Sequence, residues 1–313
     1  MSEKDFSMVF PGQGSQSVGM LSDLADAFPI VTETFSEASD VLGYDLWAMV
    51  QDGPAESLNR TEVTQPAMLA AGVAVWRVWL DQQGPLPKLM AGHSLGEYSA
   101  LVCAGVLTFS DASKLVAERA KLMQSAVPEG SGSMAAILGL DDDAVREVCR
   151  NAASGEVVEA VNFNSPGQVV IAGNKSAIER ACELAKEAGA KRALPLPVSV
   201  PSHCALMKPA AEHLNEQLAS ISFSEPTIPV LHNVNVETVK DADQIKALIV
   251  AQLYSPVRWV ETVQKMSEAG CSRLLEVGPG RVLAGLTKRI DRSLTGIAIF
   301  DTNSLNQAME TLK

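Results

Sequence analysis

Gly92-His93-Ser94-Leu95-Gly96 places a serine between two glycines, and few side chains elsewhere in the chain could make it react. A serine hydroxyl attacks a carbonyl only when a base takes its proton. Four histidines are available, His93, His203, His213 and His232. His93 adjoins the serine, and neighbours at a sharp turn point apart. His213 belongs to the solvated face of the amphipathic run AEHLNEQL. His203, in VSVPSHCAL, stands at a loop-to-helix junction whose dipole disfavours imidazolium and keeps a neutral base at pH 7. It is the preferred partner for Ser94, with His232, at the strand end in VLHNVN, the open alternative.

The pentad alone is a modest signal, since a serine in a Gly-rich turn also serves as a plain helix N-cap. Its surroundings sharpen it. The short apolar run KLMA precedes it and EYSALVCAG follows, a strand–turn–helix context that pushes a serine hydroxyl outward. Free N–H groups at the start of that helix can hold a developing oxyanion. The loop PGQGSQ follows the strand FSMVF but fails as a dinucleotide fingerprint, because Ser17 stands where the third glycine belongs. Such a loop either donates one more N–H to an oxyanion or is a simple turn. Arg119 is the third unusual residue. It sits in the apolar stripe of Leu115, Val116, Leu122, Met123 and Ala126, and a buried guanidinium needs an anion there. That anion is either a structural Asp or Glu, or the carboxylate of a substrate.

Alternating strands and helices must position these residues. FSMVF, KLMA and SRLLEVG read as strands of a parallel α/β sheet, and a long helical stretch before residue 43 breaks at Pro29. TQPAMLAAGVAVWRVWL reads as a buried helix with Pro66 at its first position. After the Gly/Ser linker PEGSGS the character changes. MAAILGL, a helix over DDDAVREVCRNAA, two strands around the turn Asn164-Ser165-Pro166-Gly167, a helix over KSAIERACELAKEAGA and the strand KRALPLPVS give the order βαββαβ. The expected fold is therefore α/β, a hydrolase-like parallel-sheet core domain with an inserted ferredoxin-like α+β small domain. The large domain takes residues 1–130 and 200–313, and the insert takes 131–199.

Composition narrows the function classes. With 47% apolar and 20% charged residues among 313, the chain can build a sizeable core. A net charge of −12 argues against nucleic acid or an anionic membrane as partner. The opening MSEKDF lacks an apolar signal region, which points to the cytoplasm. Five scattered cysteines without a C-x-x-C pair, and histidines without ligand spacing, speak against a disulfide framework or a metal site.

FPGQGSQ, TQPAMLA, GHSLGEYSAL, AERAKLMQ, PSH and EVGPGRVLAGL occur in the order found in malonyl-CoA:acyl carrier protein transacylases. The chain resembles the stand-alone bacterial members of that family, from type II fatty acid synthesis, over nearly its whole length. The resemblance implies Ser94 as acylated nucleophile, His203 as general base and acid, and the backbone N–H groups of Gln13 and Leu95 as oxyanion hole. It implies Arg119 as partner of the malonyl carboxylate, with Gln65, His93 and Asn164 lining the site. Gln252 matches the residue whose backbone carbonyl orients the histidine, and no third-member carboxylate is expected. The implied substrates are malonyl-CoA and phosphopantetheinylated acyl carrier protein, with no bound cofactor and a monomeric enzyme. Carrier proteins of this pathway are acidic, so docking on an acidic enzyme needs a local basic patch, for which Lys191-Arg192 and Lys288-Arg289 are the densest candidates. Three rivals stay open: a serine esterase or thioesterase, a non-catalytic docking module, and an acyltransferase that accepts methylmalonyl groups.

Overall fold

The computed structural model describes residues 5–198 and 200–312. The opening tetrapeptide Met1–Lys4 and Ser199, the end of the expected insert and of its last strand, lie outside the described residues. Among the described residues nine strands follow one another: β1 (Phe6–Phe10), β2 (Met90–Gly92), β3 (Gly132–Leu138), β4 (Val158–Ser165), β5 (Gln168–Asn174), β6 (Arg192–Pro195), β7 (Val230–Leu231), β8 (Arg273–Val277) and β9 (Thr295–Ile299). They form two sheets.

The larger sheet has the order β7-β2-β1-β8-β9, and every pair in it is parallel. Its central strand β1 is buried along its whole length, the continuous apolar run expected of a strand covered on both faces. From β1 the chain builds outward first to β2 and later to β8. In open parallel sheets the crevice at the carboxyl ends beside such a reversal is where ligands bind. The elbow pentad leaves the carboxyl end of β2 at that place, with Phe10 of β1 in register with Gly92.

The smaller sheet is antiparallel, in the order β4-β5-β3-β6. The helices Asp142–Ala152 and Lys175–Glu187 complete the order βαββαβ and bury Val145, Val148, Ile178 and Ala181 against Ile137, Val169 and Ile171 in a core of their own. The turn between β4 and β5 is shorter than expected. Asn164 and Ser165 belong to β4, which leaves Pro166-Gly167 as the turn. β6 is also short and stops at Pro195, a residue that cannot donate to a ladder.

Pro29 precedes the helix Ile30–Leu42 as a break, but Pro66 does not start its helix. That helix runs Thr61–Asp81 and carries Pro66 in its interior. Its first turn is satisfied upstream, with the Thr64 N–H donating to the Arg60 carbonyl at 2.8 Å and the Thr64 hydroxyl to the Leu58 carbonyl at 2.6 Å. Inside the helix the proline gives up the bond its N–H would have made and crowds the Glu62 carbonyl, and burial on nearly every face of the helix offsets that cost. All five cysteines are buried and unpaired, and burial pushes the Cys149 and Cys204 thiols up to about 12.

Candidate active site

Close approach dictates the elbow. A Cβ on Gly92 would lie 1.8 Å from the Gly96 carbonyl carbon, and one on Gly96 would lie 2.0 Å from the Phe10 carbonyl oxygen. Only glycine fits at either place, and the turn so tightened holds Ser94 at φ 52. Such a backbone is strained for a serine and persists where its surroundings fix it. Asn233 does so from both sides: its Oδ1 accepts from the Ser94 N–H at 2.8 Å and its Nδ2 donates to the Gly92 carbonyl at 2.7 Å.

His203 meets the serine hydroxyl, with Nε2 2.7 Å from Ser94 Oγ. Its Nδ1–H donates to the Gln252 carbonyl at 2.8 Å and its backbone N–H to the Leu253 carbonyl at 2.9 Å, which leaves Nε2 as an acceptor. Burial, seconded by the cationic Arg119, holds the imidazole pKa down to about 3. The ring is neutral at pH 7, but the helix dipole invoked from sequence is not the cause. A short 3-10 turn, Ala205–Met207, separates His203 from the helix Lys208–Leu218. His232 does not reach the serine. It is fully buried and sits 2.7 Å from Glu97 Oε1, while His213 is on the surface beside Glu216.

The loop after β1 presses on the elbow, and a Cβ on its Gly12 would lie 2.4 Å from the His93 carbonyl oxygen. Gln13 follows, its side-chain oxygen accepting from the Thr61 hydroxyl at 3.3 Å. The Ser94 N–H is taken by Asn233. The N–H groups of Gln13 and Leu95 have no partner among the described residues, and both residues line the cavity that contains Ser94 and His203. Two such donors facing one cavity can hold an oxyanion.

Arg119 lines the same cavity from the helix Phe109–Ser125, at 1% exposure. Among the described residues no carboxylate pairs with it, contrary to the first of the two sequence expectations. Its Nη1 donates to Gln65 Oε1 at 2.7 Å and its Nη2 to Gln252 Oε1 at 3.1 Å, while the buried Nε finds no partner among the described residues. The Tyr98 ring centroid lies 5.3 Å from its guanidinium carbon. Burial draws the Arg119 pKa below its ordinary value, with Tyr98 and Glu97 acting the other way. Two neutral amide oxygens thus pin a cation in a buried wall, and three of its five N–H bonds, the Nε–H among them, are left over by these two contacts.

The cavity holds about 120 Å³, roughly four water volumes, which suits a short acyl group. Gln65 and His93 line it, but Asn164, expected beside them, does not: Asn162 of the same strand lines the cavity, and Asn164 Oδ1 accepts from His93 Nε2–H at 2.7 Å. The four basic docking candidates are exposed, and strand register brings two of them, Arg192 and Arg289, to the same end of the antiparallel sheet. Arg192 registers with Leu138 and Leu138 with Gln168, whose Oε1 accepts from Arg289 Nη1 at 2.8 Å. Lys191 and Lys288 adjoin the two arginines in sequence. Among the described residues no group of three His, Cys, Asp or Glu side chains is placed to hold a metal ion.

Sequence reasoning missed Glu97, His232 in its actual place, and Asn233. Glu97 reads as an ordinary acid in a first helical turn. Its partners lie more than 130 positions away in sequence, so no local spacing could have exposed them.

The family model of the acyl transferase domain matches residues 7–298. The chain is 64% identical over 310 residues to the malonyl CoA-acyl carrier protein transacylase of Haemophilus influenzae, covering 99% of each chain. It is 61% identical over 305 residues to that of Escherichia coli, covering 97% of this chain and 99% of the relative. Among solved structures it resembles an acyl carrier protein S-malonyltransferase from Vibrio cholerae, with TM-score 0.95 and 62% identity over 97% of this chain and 99% of the other. It also resembles a malonyl-transacylase in complex with its type II PKS acyl-carrier protein, with TM-score 0.97 and 62% identity over 98% of this chain and 99% of the other.

Proposed function

The chain belongs to the acyl transferase domain family, and we infer from its site that Ser94, His203 and Arg119 perform the malonyl transfer carried out by its relatives. It moves a malonyl group from malonyl-CoA to the phosphopantetheine thiol of acyl carrier protein and so supplies fatty acid synthesis. The observation that carries the assignment of residues is the buried Arg119, with a spare N–H, in the wall of the cavity that holds the Ser94–His203 pair.

As Ser94 Oγ attacks the thioester carbonyl, its proton passes to His203 Nε2. The N–H groups of Gln13 and Leu95 hold the resulting oxyanion. Collapse expels the CoA sulfur, which takes the proton from Nε2, and the malonyl group stays on Ser94 as an ester. The carrier thiol then enters, loses its proton to the same nitrogen and attacks the ester, and Ser94 Oγ leaves with that proton. The Gln252 carbonyl on Nδ1–H keeps Nε2 facing the serine throughout and stabilises the imidazolium as a carboxylate does in a three-member triad. Arg119 grips the free carboxylate, Gln65 and His93 line the wall beside it, and Asn164 and Gln252 act through their bonds to His93 and Arg119.

Lys191, Arg192, Lys288 and Arg289 are the proposed docking surface for the acidic carrier. Residues 131–199 are read as a small domain inserted between 1–130 and 200–313, a division supported by the separate core beneath the antiparallel sheet. No helix among the described residues is long and apolar enough to cross a membrane. The enzyme is placed in the cytoplasm as a monomer without a resident cofactor.

Intact-protein mass after mixing with malonyl-CoA, without carrier protein, tests the reading. The wild type should gain one malonyl group that persists until a thiol is added, and Ser94→Ala should gain none. Free malonate released over an unmodified enzyme would assign the site to hydrolysis instead. Silence in both assays would leave a docking module.

A further inference from the structure

The malonyl-transfer reading leaves two fully buried carboxylates of the described residues without a role, Glu97 and Glu276, and of these Glu97 is the one that reaches the site. Glu97 lies in the first turn of the helix Gly96–Cys103, and its carboxylate accepts three hydrogen bonds. They come from His232 Nδ1 at 2.7 Å, the Asn233 N–H at 3.1 Å and Gln252 Nε2 at 2.8 Å. Gln252 is the hub between this carboxylate and the site. Its Nε2 gives one proton to Glu97 Oε2 and the other to the Ser94 carbonyl at 3.0 Å, and its Oε1 accepts from Arg119 Nη2 at 3.1 Å.

An amide has two different ends, so its orientation matters. Turned over, the Gln252 side chain would set its oxygen against two acceptors, Glu97 Oε2 and the Ser94 carbonyl, and its NH2 against the Arg119 guanidinium. Glu97 makes that reversal costly by adding a charged acceptor on the nitrogen side. The Arg119 guanidinium rests beside the Tyr98 ring and donates to Gln65 and Gln252, so the orientation of one of these two acceptors bears on whether its remaining N–H groups are held ready for a carboxylate. His203 is insulated from this choice, because it bonds to the backbone carbonyl of Gln252 and not to the side chain.

We infer that Glu97 is a positioning residue that fixes the Gln252 amide oxygen toward Arg119, and thereby sets the preference for acyl groups ending in a carboxylate. The inference rests on the malonyl-transfer reading above. The Ser94–His203 hydrogen bond and the Nδ1–H bond to the Gln252 backbone carbonyl do not involve the side-chain amide, whose tie to the elbow is the Ser94 carbonyl, so an acyl group without a carboxylate is the internal control.

The experiment measures kcat/KM for transfer to holo acyl carrier protein from malonyl-CoA and from acetyl-CoA. A wild type without a malonyl preference would refute the transfer reading itself. Given that preference, Glu97→Met strips the acceptor at nearly constant volume. It should lower the malonyl-to-acetyl ratio by at least about tenfold, as one unsatisfied buried bond implies, and leave acetyl transfer within about threefold. Glu97→Gln should keep the ratio, because its Oε1 can take both bonds now made at Oε2 while its NH2 donates to His232 Nδ1 in the other tautomer. Equal loss with both donors in Glu97→Met, an unchanged ratio there, or a tenfold loss in Glu97→Gln would overturn the inference. If Glu97→Met does not fold by circular dichroism, Glu97→Asp draws the carboxylate back by one methylene. It should lower the ratio at least about threefold, and an unchanged ratio in it would overturn the inference equally.

Discussion

Replacing Arg119 by alanine should erase most of the distinction between a malonyl and an acetyl donor. The guanidinium gives Nη1 to Gln65 at 2.7 Å and Nη2 to Gln252 at 3.1 Å, and its Nε stays unpartnered in a wall at 1% exposure. A malonyl carboxylate arriving there makes charge-assisted bonds out of reach of bulk water. Truncating one partner of such a pair costs about 2–5 kcal/mol, or roughly 30-fold to a few thousandfold in kcat/KM. An acetyl group carries no charge to lose. Moreover, Arg119 is the second cause of the depressed His203 basicity, so its removal makes the base stronger and acetyl transfer should hold or rise. The Gln65 and Gln252 oxygens lose their donors, a stability cost of about 1–3 kcal/mol that a thermal melt would register. The assay is CoA release from each donor with carrier protein in excess. A folded Arg119→Ala whose malonyl-to-acetyl ratio stays within about threefold of the wild type, against the loss expected for a buried pair, would refute the assignment, as would equal loss with both donors.

His203 works as a base only while neutral, and burial holds its pKa near 3. The rate of serine acylation should therefore stay flat from pH 8 down to about pH 5, and a limb at about 6.5, the ordinary histidine value, would refute the burial argument. The same shift links to stability. The unfolded histidine binds a proton below about pH 6.5 while the folded one does not, so His203 makes stability fall by about 1.4 kcal/mol per unit as pH drops from there toward its folded pKa. Urea midpoints across that window check the sign. Gly96→Ala should destabilise the fold by about 3 kcal/mol or more, since its Cβ would sit 2.0 Å from the Phe10 carbonyl oxygen, and an unchanged melting temperature would refute the close approach. Reversing charge at Arg192 and Arg289 together should raise KM for carrier protein about tenfold at low salt and less at high salt. Normal turnover in that double variant would remove the docking assignment.

Periodicity and turn chemistry carried most of the fold. The break at Pro29, the buried helix containing Pro66 and the βαββαβ order are all written in local residue patterns. Helix starts were less legible, because the bonds that begin the Thr61–Asp81 helix upstream of Pro66 depend on Arg60 and Leu58 and not on the proline. The elbow was visible through its glycines, and Arg119 through the oddity of a cation in an apolar stripe. Its partners Gln65 and Gln252 were named only through the resemblance, without their side-chain bonds to it, and Glu97 was not seen at all, since it finds His232 and Asn233 only once the sheet is assembled. For the same reason the cause of the low His203 basicity lies in burial, a property of packing that no spacing in VPSH reports.

A malonyl group is handed to a thiol, and this enzyme carries five thiols of its own. Cys204 directly follows His203, the proposed base, in sequence, yet it is fully buried, its Sγ bonded to the Pro201 carbonyl at 3.2 Å and its pKa pushed up to about 12. Since the thiolate is the nucleophilic form, this sulfur stays inert at neutral pH. Self-capture of the cargo is thereby closed off, and the ester on Ser94 waits for a thiol brought in from outside.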